Sequence, residues 1–122
     1  MLTKEDVFAI REEVNKVSIS ESLEKYIIEL VFATRDPKAY GLDKAAEYIQ
    51  FGVSPRASIN LNLAAKCTAY FNNREYVLPE DIKEVAVDVL NHRMILNYEA
   101  EADNVSTIDI IKDLLNKIPI GN

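Results

Sequence analysis

Gly52-Val53-Ser54-Pro55-Arg56-Ala57-Ser58 runs directly into a helical pattern that continues to Phe71. Ser54 is a favourable N-cap and Pro55 suits the first helical position, so this stretch predicts a helix from Pro55. Arg56 then falls in the first turn. A cation is poorly placed there, because unpaired N–H groups and the positive end of the helix dipole already occupy that end. Its presence makes sense if an anion, phosphate above all, is held by the N–H groups and the guanidinium together. The plain alternative is that Arg56 points sideways into solvent or pairs with a glutamate. Local chemistry leaves both open.

The pattern behind that cap predicts one long helix. Ala57, Leu61, Ala64, Ala65, Thr68 and Phe71 line one side, and Ile59, Leu63, Cys67 and Tyr70 a second. Small residues let neighbouring helices approach closely, so this helix is expected to be the central and most buried one.

Working outward, four more long helices are expected. The first runs from Thr3 to about Asn15, with Asp6 three residues after its cap and a stripe of Val7, Ile10, Val14 and Val17. The second spans Ser20 to Arg35, carries Leu23, Ile27, Leu30, Val31 and Thr34 on one face, and stops at Asp36-Pro37. Tyr26 and Ile28 fall outside that stripe, so it contacts neighbours on two sides. Pro79 opens the next, with Ile82, Val85, Ala86, Val89 and Leu90 inward. Ser106 caps the last, with Asp109 three residues on and a stripe of Ile108, Ile111, Leu115 and Ile118. Asp43 to Tyr48 is a short helix with Leu42, Ala45, Ala46 and Ile49 inward. Asn72-Asn73-Arg74-Glu75 is a turn. Met94 to Asn104 lacks helical period; Ile95-Leu96-Asn97-Tyr98 is read as one strand of a small ribbon with Tyr76-Val77. The class is all-α: a compact bundle of about five main helices with, at most, a short two-stranded ribbon.

Composition agrees. A chain of 122 residues suits one domain and buries about two thirds of its unfolded surface. Three glycines and four prolines are too few for the turns of a many-stranded sheet. The net charge of −6 disfavours nucleic acid and anionic membrane as partners, without excluding a local basic pocket. The single Cys67 allows no internal disulfide, which is compatible with a reducing cytoplasm. No run is long and apolar enough to span a membrane, and no signal peptide is evident.

Chemistry-bearing motifs are sparse. Gly41, Gly52 and Gly121 are too isolated to build a phosphate loop, and no apolar strand ends in paired acids for magnesium. The chain alone is therefore not expected to hydrolyse ATP. His92 is the only histidine and Cys67 has no partner at ligand spacing, so no metal site is expected. Cys67 reads as buried packing. His92 and Arg93 sit near a helix end, where positive charge is favourable. Glu99, Glu101 and Asp103 read as a solvated loop.

The opening stretch, Gly52 to Ala57, resembles the sensor 2 motif of MoxR-family AAA+ ATPases. Arg74-Glu75-Tyr76-Val77-Leu78-Pro79-Glu80-Asp81-Ile82 looks like that family's entry into the next lid helix, with Leu78 where a Thr or Ser is usual. Asp88-Val89-Leu90-Asn91-His92-Arg93-Met94 and Tyr98-Glu99-Ala100-Glu101-Ala102 resemble the family's next segment. Val17-Ser18-Ile19-Ser20-Glu21-Ser22-Leu23 and Leu30-Val31-Phe32-Ala33-Thr34-Arg35 resemble the opening helix. The pieces cover nearly the whole chain in the family's order. The resemblance implies that residues 1–122 form a single lid domain, taken from the C-terminal end of a longer ATPase. It implies ATP and magnesium in the parent, with Arg56 reaching the nucleotide's terminal phosphates as a catalytic and nucleotide-binding residue. It further implies a cytoplasmic, chaperone-like ATPase with three kinds of partner: its own AAA+ core, neighbouring ring subunits and von Willebrand factor A proteins. The rivals are a lid of a magnesium chelatase-like branch and a stand-alone helical interaction module. A DNA-binding helix-turn-helix is disfavoured by charge and by the absence of a basic recognition helix.

Overall fold

The computed structural model describes residues 3–120, and Thr3 already fixes an element. Its hydroxyl accepts from Asp6 N at 3.1 Å and Asp6 accepts from Thr3 N at 3.0 Å, the reciprocal cap that starts α1 (Lys4–Asn15). Ser20 Oγ accepts from Leu23 N at 3.2 Å and starts α2 (Glu21–Arg35). A 3-10 turn over Pro37–Tyr40 leads through Gly41, at φ +69°, to α3 (Asp43–Tyr48) and strand β1 (Ile49–Phe51). Then come α4 (Ala57–Phe71), α5 (Pro79–Asn91), β2 (Ile95–Leu96), α6 (Tyr98–Ala102) and α7 (Thr107–Lys117). The fold is all-α, with five main helices, as the periodicities predict. Asn73 sits at φ +61° in the turn between α4 and α5, a conformation that asparagine tolerates well.

The core is centred differently from the expectation. Seven residues of α2 are buried: Leu23, Tyr26, Ile27, Leu30, Val31, Ala33 and Thr34. Tyr26 satisfies its hydroxyl by donating to Leu115 O at 3.2 Å, which ties α2 to α7. By contrast α4 buries only Ala57, Leu61, Ala65 and Ala69, one narrow stripe spaced by four. Its alanines do bring α5, α2 and α1 against it. Its second side, with Ile59 and Leu63, and its last residue Phe71 stay exposed, and Cys67 is only half-buried. So α4 is central in contacts, while α2 is the enclosed helix. On α7 the buried face is Ile110, Ile111, Leu114 and Leu115, turned away from the expected Ile108. On α1, Val14 is buried while Val7 is exposed.

The ribbon exists, but with another partner. Ile95–Leu96 pairs antiparallel with Ile49–Phe51, not with Tyr76-Val77. Asn97 fixes this choice: its N donates to Tyr48 O at 2.8 Å and its Nδ2 to Glu47 O at 2.6 Å. Tyr76 instead forms a parallel bridge with Ser18, through Ser18 N to Glu75 O at 2.8 Å and Val77 N to Ser18 O at 2.9 Å. The acidic stretch is not a loop throughout. Asn97 Oδ1 accepts from Ala100 N at 3.0 Å and caps α6, which carries Glu99 and Glu101.

Asp103, just past α6, accepts from the Tyr48 hydroxyl at 2.7 Å. That hydrogen bond, then burial and the nearby acids, pushes the Tyr48 phenol up to about 12. The unfolded phenol ionises near pH 10, so the native chain holds a proton that the unfolded chain has lost. The contact's contribution is therefore complete below about pH 10 and is lost as pH rises toward 12. Urea unfolding across that window should show stability falling with pH, and Tyr48→Phe should flatten the slope. An unchanged slope would show that Tyr48 does not supply it.

Candidate functional site

The loop before α4 is held by the end of α2. Gly52 packs so closely that a Cβ there would lie 2.3 Å from Thr34 O. Thr34 Oγ1 donates to Val31 O at 2.7 Å and accepts from Val53 N at 3.0 Å. Arg35 Nη1 donates to Val53 O at 3.1 Å. Both backbone groups of buried Val53 are thereby engaged, and the start of α4 is set at a fixed place on α2. Gly52→Ala must push backbone apart, so it is expected to cost more than about 2 kcal/mol in denaturant unfolding. A loss under roughly 0.5 kcal/mol would mean that the loop shifts freely.

Helix α4 starts later than predicted. Ser54 Oγ accepts from Arg56 N at 3.3 Å within the turn, but the N-cap position of α4 falls on Arg56 and not on the expected Ser54, and it has no side-chain cap bond. Pro55-Arg56 form a tight turn, and regular α-helix begins at Ala57. In the turn Ala57 N donates to Ser54 O at 2.9 Å, Ser58 N to Pro55 O at 3.2 Å and Ile59 N to Arg56 O at 3.0 Å. This overturns one expectation. The N–H groups of the first turn are engaged within the chain, so they do not share in cradling an anion. What remains for an anion is the guanidinium.

Arg56 is exposed, and among the described residues its side chain makes no hydrogen bond or ion pair. Three other arginines are committed to structure, whereas Arg11 on α1 is exposed like Arg56. Arg35 holds Val53, Arg74 pairs with Asp81, and Arg93 Nε donates to Val89 O at 2.9 Å at the end of α5. That last contact fits the structural reading of Arg93, and His92 beside it is exposed. Charge also separates α4 from its neighbours. Acids occupy the first turns of α1, α2, α5 and α7, whereas α4 has none there and follows Arg56 instead. On a chain of net charge −6 this end is a local positive point.

One polar cluster lay outside the sequence reading. Asp81 is 2% exposed and accepts from Leu78 N at 2.7 Å, from Arg74 Nη1 at 2.9 Å and from Arg74 Nη2. Leu78 has no side-chain acceptor, so the lost half of that cap is as expected, while Asp81 supplies the other half. The signal available was an acid at the third helical position with an arginine seven residues earlier.

Clefts open on the surface at two places beside α4 among the described residues. One, about 940 Å³, lies between the end of α1 and the α4–α5 turn and is lined by Lys16, Tyr70, Phe71, Arg74 and Tyr76. Its cations are already paired, Lys16 with Glu13 and Arg74 with Asp81, and it is remote from Arg56. The other, about 370 Å³, runs between α2 and α4 beside Ile28, Ser58, Ile59 and Leu63. Among the described residues no helix is long and apolar enough to cross a membrane.

The order of helices in this bundle is that of a known class of domain. Residues 43–114 match the family model of the AAA lid domain. The chain is 35% identical over 120 residues to Chaperone MoxR1 of Mycobacterium tuberculosis, covering 98% of this chain and 32% of that protein. Protein MoxR of Paracoccus denitrificans is 39% identical over 82 residues, 64% of this chain and 24% of that one. A crystal structure from Cytophaga hutchinsonii, of a protein assigned as an ATPase, superposes with a TM-score of 0.95. It is 65% identical, and the match covers 99% of this chain and 37% of that one. The chain thus belongs to the AAA lid domains, in the MoxR family of AAA+ ATPases. It spans about a third of the length of the curated relatives it matches.

Proposed function

We propose that this chain is the C-terminal lid of a longer MoxR-like ATPase, and that Arg56 is its sensor 2 arginine. The observation that carries the reading is Arg56 itself: an exposed guanidinium, unpartnered among the described residues, at a helix start that α2 holds in place and that bears no acid. A free planar cation can meet two phosphate oxygens at once. ATP in the parent supplies the phosphates. The guanidinium fits them, while residues 52–60 include no carboxylate, so magnesium would be held elsewhere in the parent.

Contact between Arg56 and a terminal phosphate exists only while that phosphate does. The position of the lid then depends on the state of the nucleotide, because α2 and α4 move with the arginine as one packed unit. Ring assembly and chaperone-like remodelling are the natural use of such coupling; the name of the M. tuberculosis relative supports the second. Von Willebrand factor A partners rest on the family resemblance alone. The deciding experiment is ATP turnover of the full-length protein carrying Arg56→Ala, in which wild-type turnover and nucleotide affinity would defeat the reading.

A further inference from the structure

Val53 is apolar and buried, yet both of its backbone groups are taken by the last two residues of α2. Thr34 Oγ1 accepts from Val53 N at 3.0 Å, and Arg35 Nη1 donates to Val53 O at 3.1 Å. Thr34 is 1% exposed, so it cannot touch a nucleotide itself. Its hydroxyl is also fixed from behind, because it donates its own hydrogen to Val31 O at 2.7 Å. That leaves a lone pair free to face Val53 N. From Val53 to Arg56 is three residues, about 10 Å of chain at most. This short chain is stiff. Pro55 has a fixed φ, and Ala57 N closes the turn on Ser54 O at 2.9 Å. Arg56 itself has helical backbone angles, φ −63° and ψ −20°. A displacement of the Val53 peptide is therefore passed on to Arg56 rather than absorbed on the way.

We infer that Thr34 and Arg35 are positioning residues for Arg56: by clasping Val53 they set where its guanidinium stands, and ATP turnover in the parent depends on them through Arg56. This rests on the proposed role of Arg56. Geometry is demanding for a group that meets a transferring phosphoryl, since a shift on the order of 1 Å can cost about a hundredfold in rate. The Arg56 side chain supplies none of that geometry, because it makes no hydrogen bond or ion pair among the described residues. Its placement comes from the backbone beneath it. The rival is a purely structural role, in which Thr34 does no more than satisfy a buried N–H group. Turnover, not stability, separates the two. Tyr26 on the same helix supplies the comparison. Its hydroxyl donates to Leu115 O at 3.2 Å and so ties α2 to α7, away from the loop that carries Arg56.

The test is steady-state ATP turnover of the full-length protein, with each variant assayed where circular dichroism shows it folded. Thr34→Val keeps the shape and removes the hydroxyl. It is expected to lower turnover about tenfold, with the loss divided between kcat and KM as it is in Arg56→Ala. Thr34→Ser keeps the hydroxyl and should return to within about threefold of wild type. Arg35→Met should lower turnover as well, and Arg35→Lys should recover part of it. Arg35 is exposed, so its variants carry the test if Thr34→Val does not fold. Tyr26→Phe loses a hydrogen bond of α2 elsewhere and should stay within about twofold of wild type. The double variants decide. Added to Arg56→Ala, either Thr34→Val or Arg35→Met should change turnover by less than about twofold, because the group they position is gone. Full multiplication of the two losses would show action independent of Arg56 and overturns the inference. So does wild-type turnover in both Thr34→Val and Arg35→Met, or an equal loss in Tyr26→Phe. The two readings fail distinguishably. Lost turnover in Arg56→Ala with wild-type turnover in both clasp variants removes the positioning role and keeps the sensor. Wild-type turnover in Arg56→Ala removes the sensor, and the positioning role with it.

Discussion

Full-length protein carrying Arg56→Ala is expected to turn over ATP at least about a hundredfold more slowly, the effect of removing a group that stabilises charge on a transferring phosphoryl. The loss should fall mainly on kcat if the guanidinium meets charge that develops in the transition state. A matching rise in KM would mean that it grips the bound nucleotide as well. Arg56→Lys should recover only part of the rate, because an ammonium cannot present two parallel donors. Stability separates this role from a structural one. Among the described residues the Arg56 side chain has no hydrogen bond or ion pair to lose, and it lies at the positive end of α4. The alanine variant should therefore unfold within about 0.5 kcal/mol of wild type, on the favourable side if anywhere. Wild-type kinetics would end the sensor assignment. A large stability loss would make Arg56 a structural residue.

How far the sequence could be read depended on which interactions are local. Caps at Thr3, Ser20 and Ser106 reach three residues along the chain, and all three form as expected. The long helices are legible from periodicity for the same reason. Periodicity could not say which apolar side of α4 meets protein. That depends on where α2 and α5 lie, and they take the alanine stripe and leave Ile59 and Leu63 outside. The ribbon was misassigned because pairing is non-local: Ile49 and Leu96 lie 47 residues apart, and the side chain that selects the pairing is a single Asn97. At the site, Gly52, Ser54 and Arg56 were legible because turn chemistry is local. The grip of Thr34 and Arg35 on Val53 was not, since it joins two helices across 18 or 19 residues. The arginine stood out in the sequence, and its mounting came from the fold.

The same limit applies to Arg74, where the largest stability effect is expected. Asp81 is enclosed, and its carboxylate is satisfied by the Arg74 guanidinium and by Leu78 N. Arg74→Ala removes two of those donors and leaves a buried charge with one hydrogen bond. Breaking one side of such a pair costs about 3–5 kcal/mol, because the remaining ion has lost water without regaining equivalent partners. The cost should appear as a lower denaturant midpoint with an unchanged slope. Its origin can be checked by adding Asp81→Asn to the Arg74→Ala chain. Asparagine keeps an oxygen for Leu78 N but carries no charge, so the double variant should be more stable than Arg74→Ala alone. That recovery would identify the stranded charge as the cause. If the double variant is no better, the arginine's packing over the α4–α5 turn is what matters. A cost below about 1 kcal/mol for Arg74→Ala would mean that water reaches Asp81 once the guanidinium is gone. Exposed, unpaired Arg56 and half-buried, paired Arg74 thus make opposite predictions from the same side chain. Replacing the first should remove turnover and spare the fold, and replacing the second should weaken the fold on which the first is mounted.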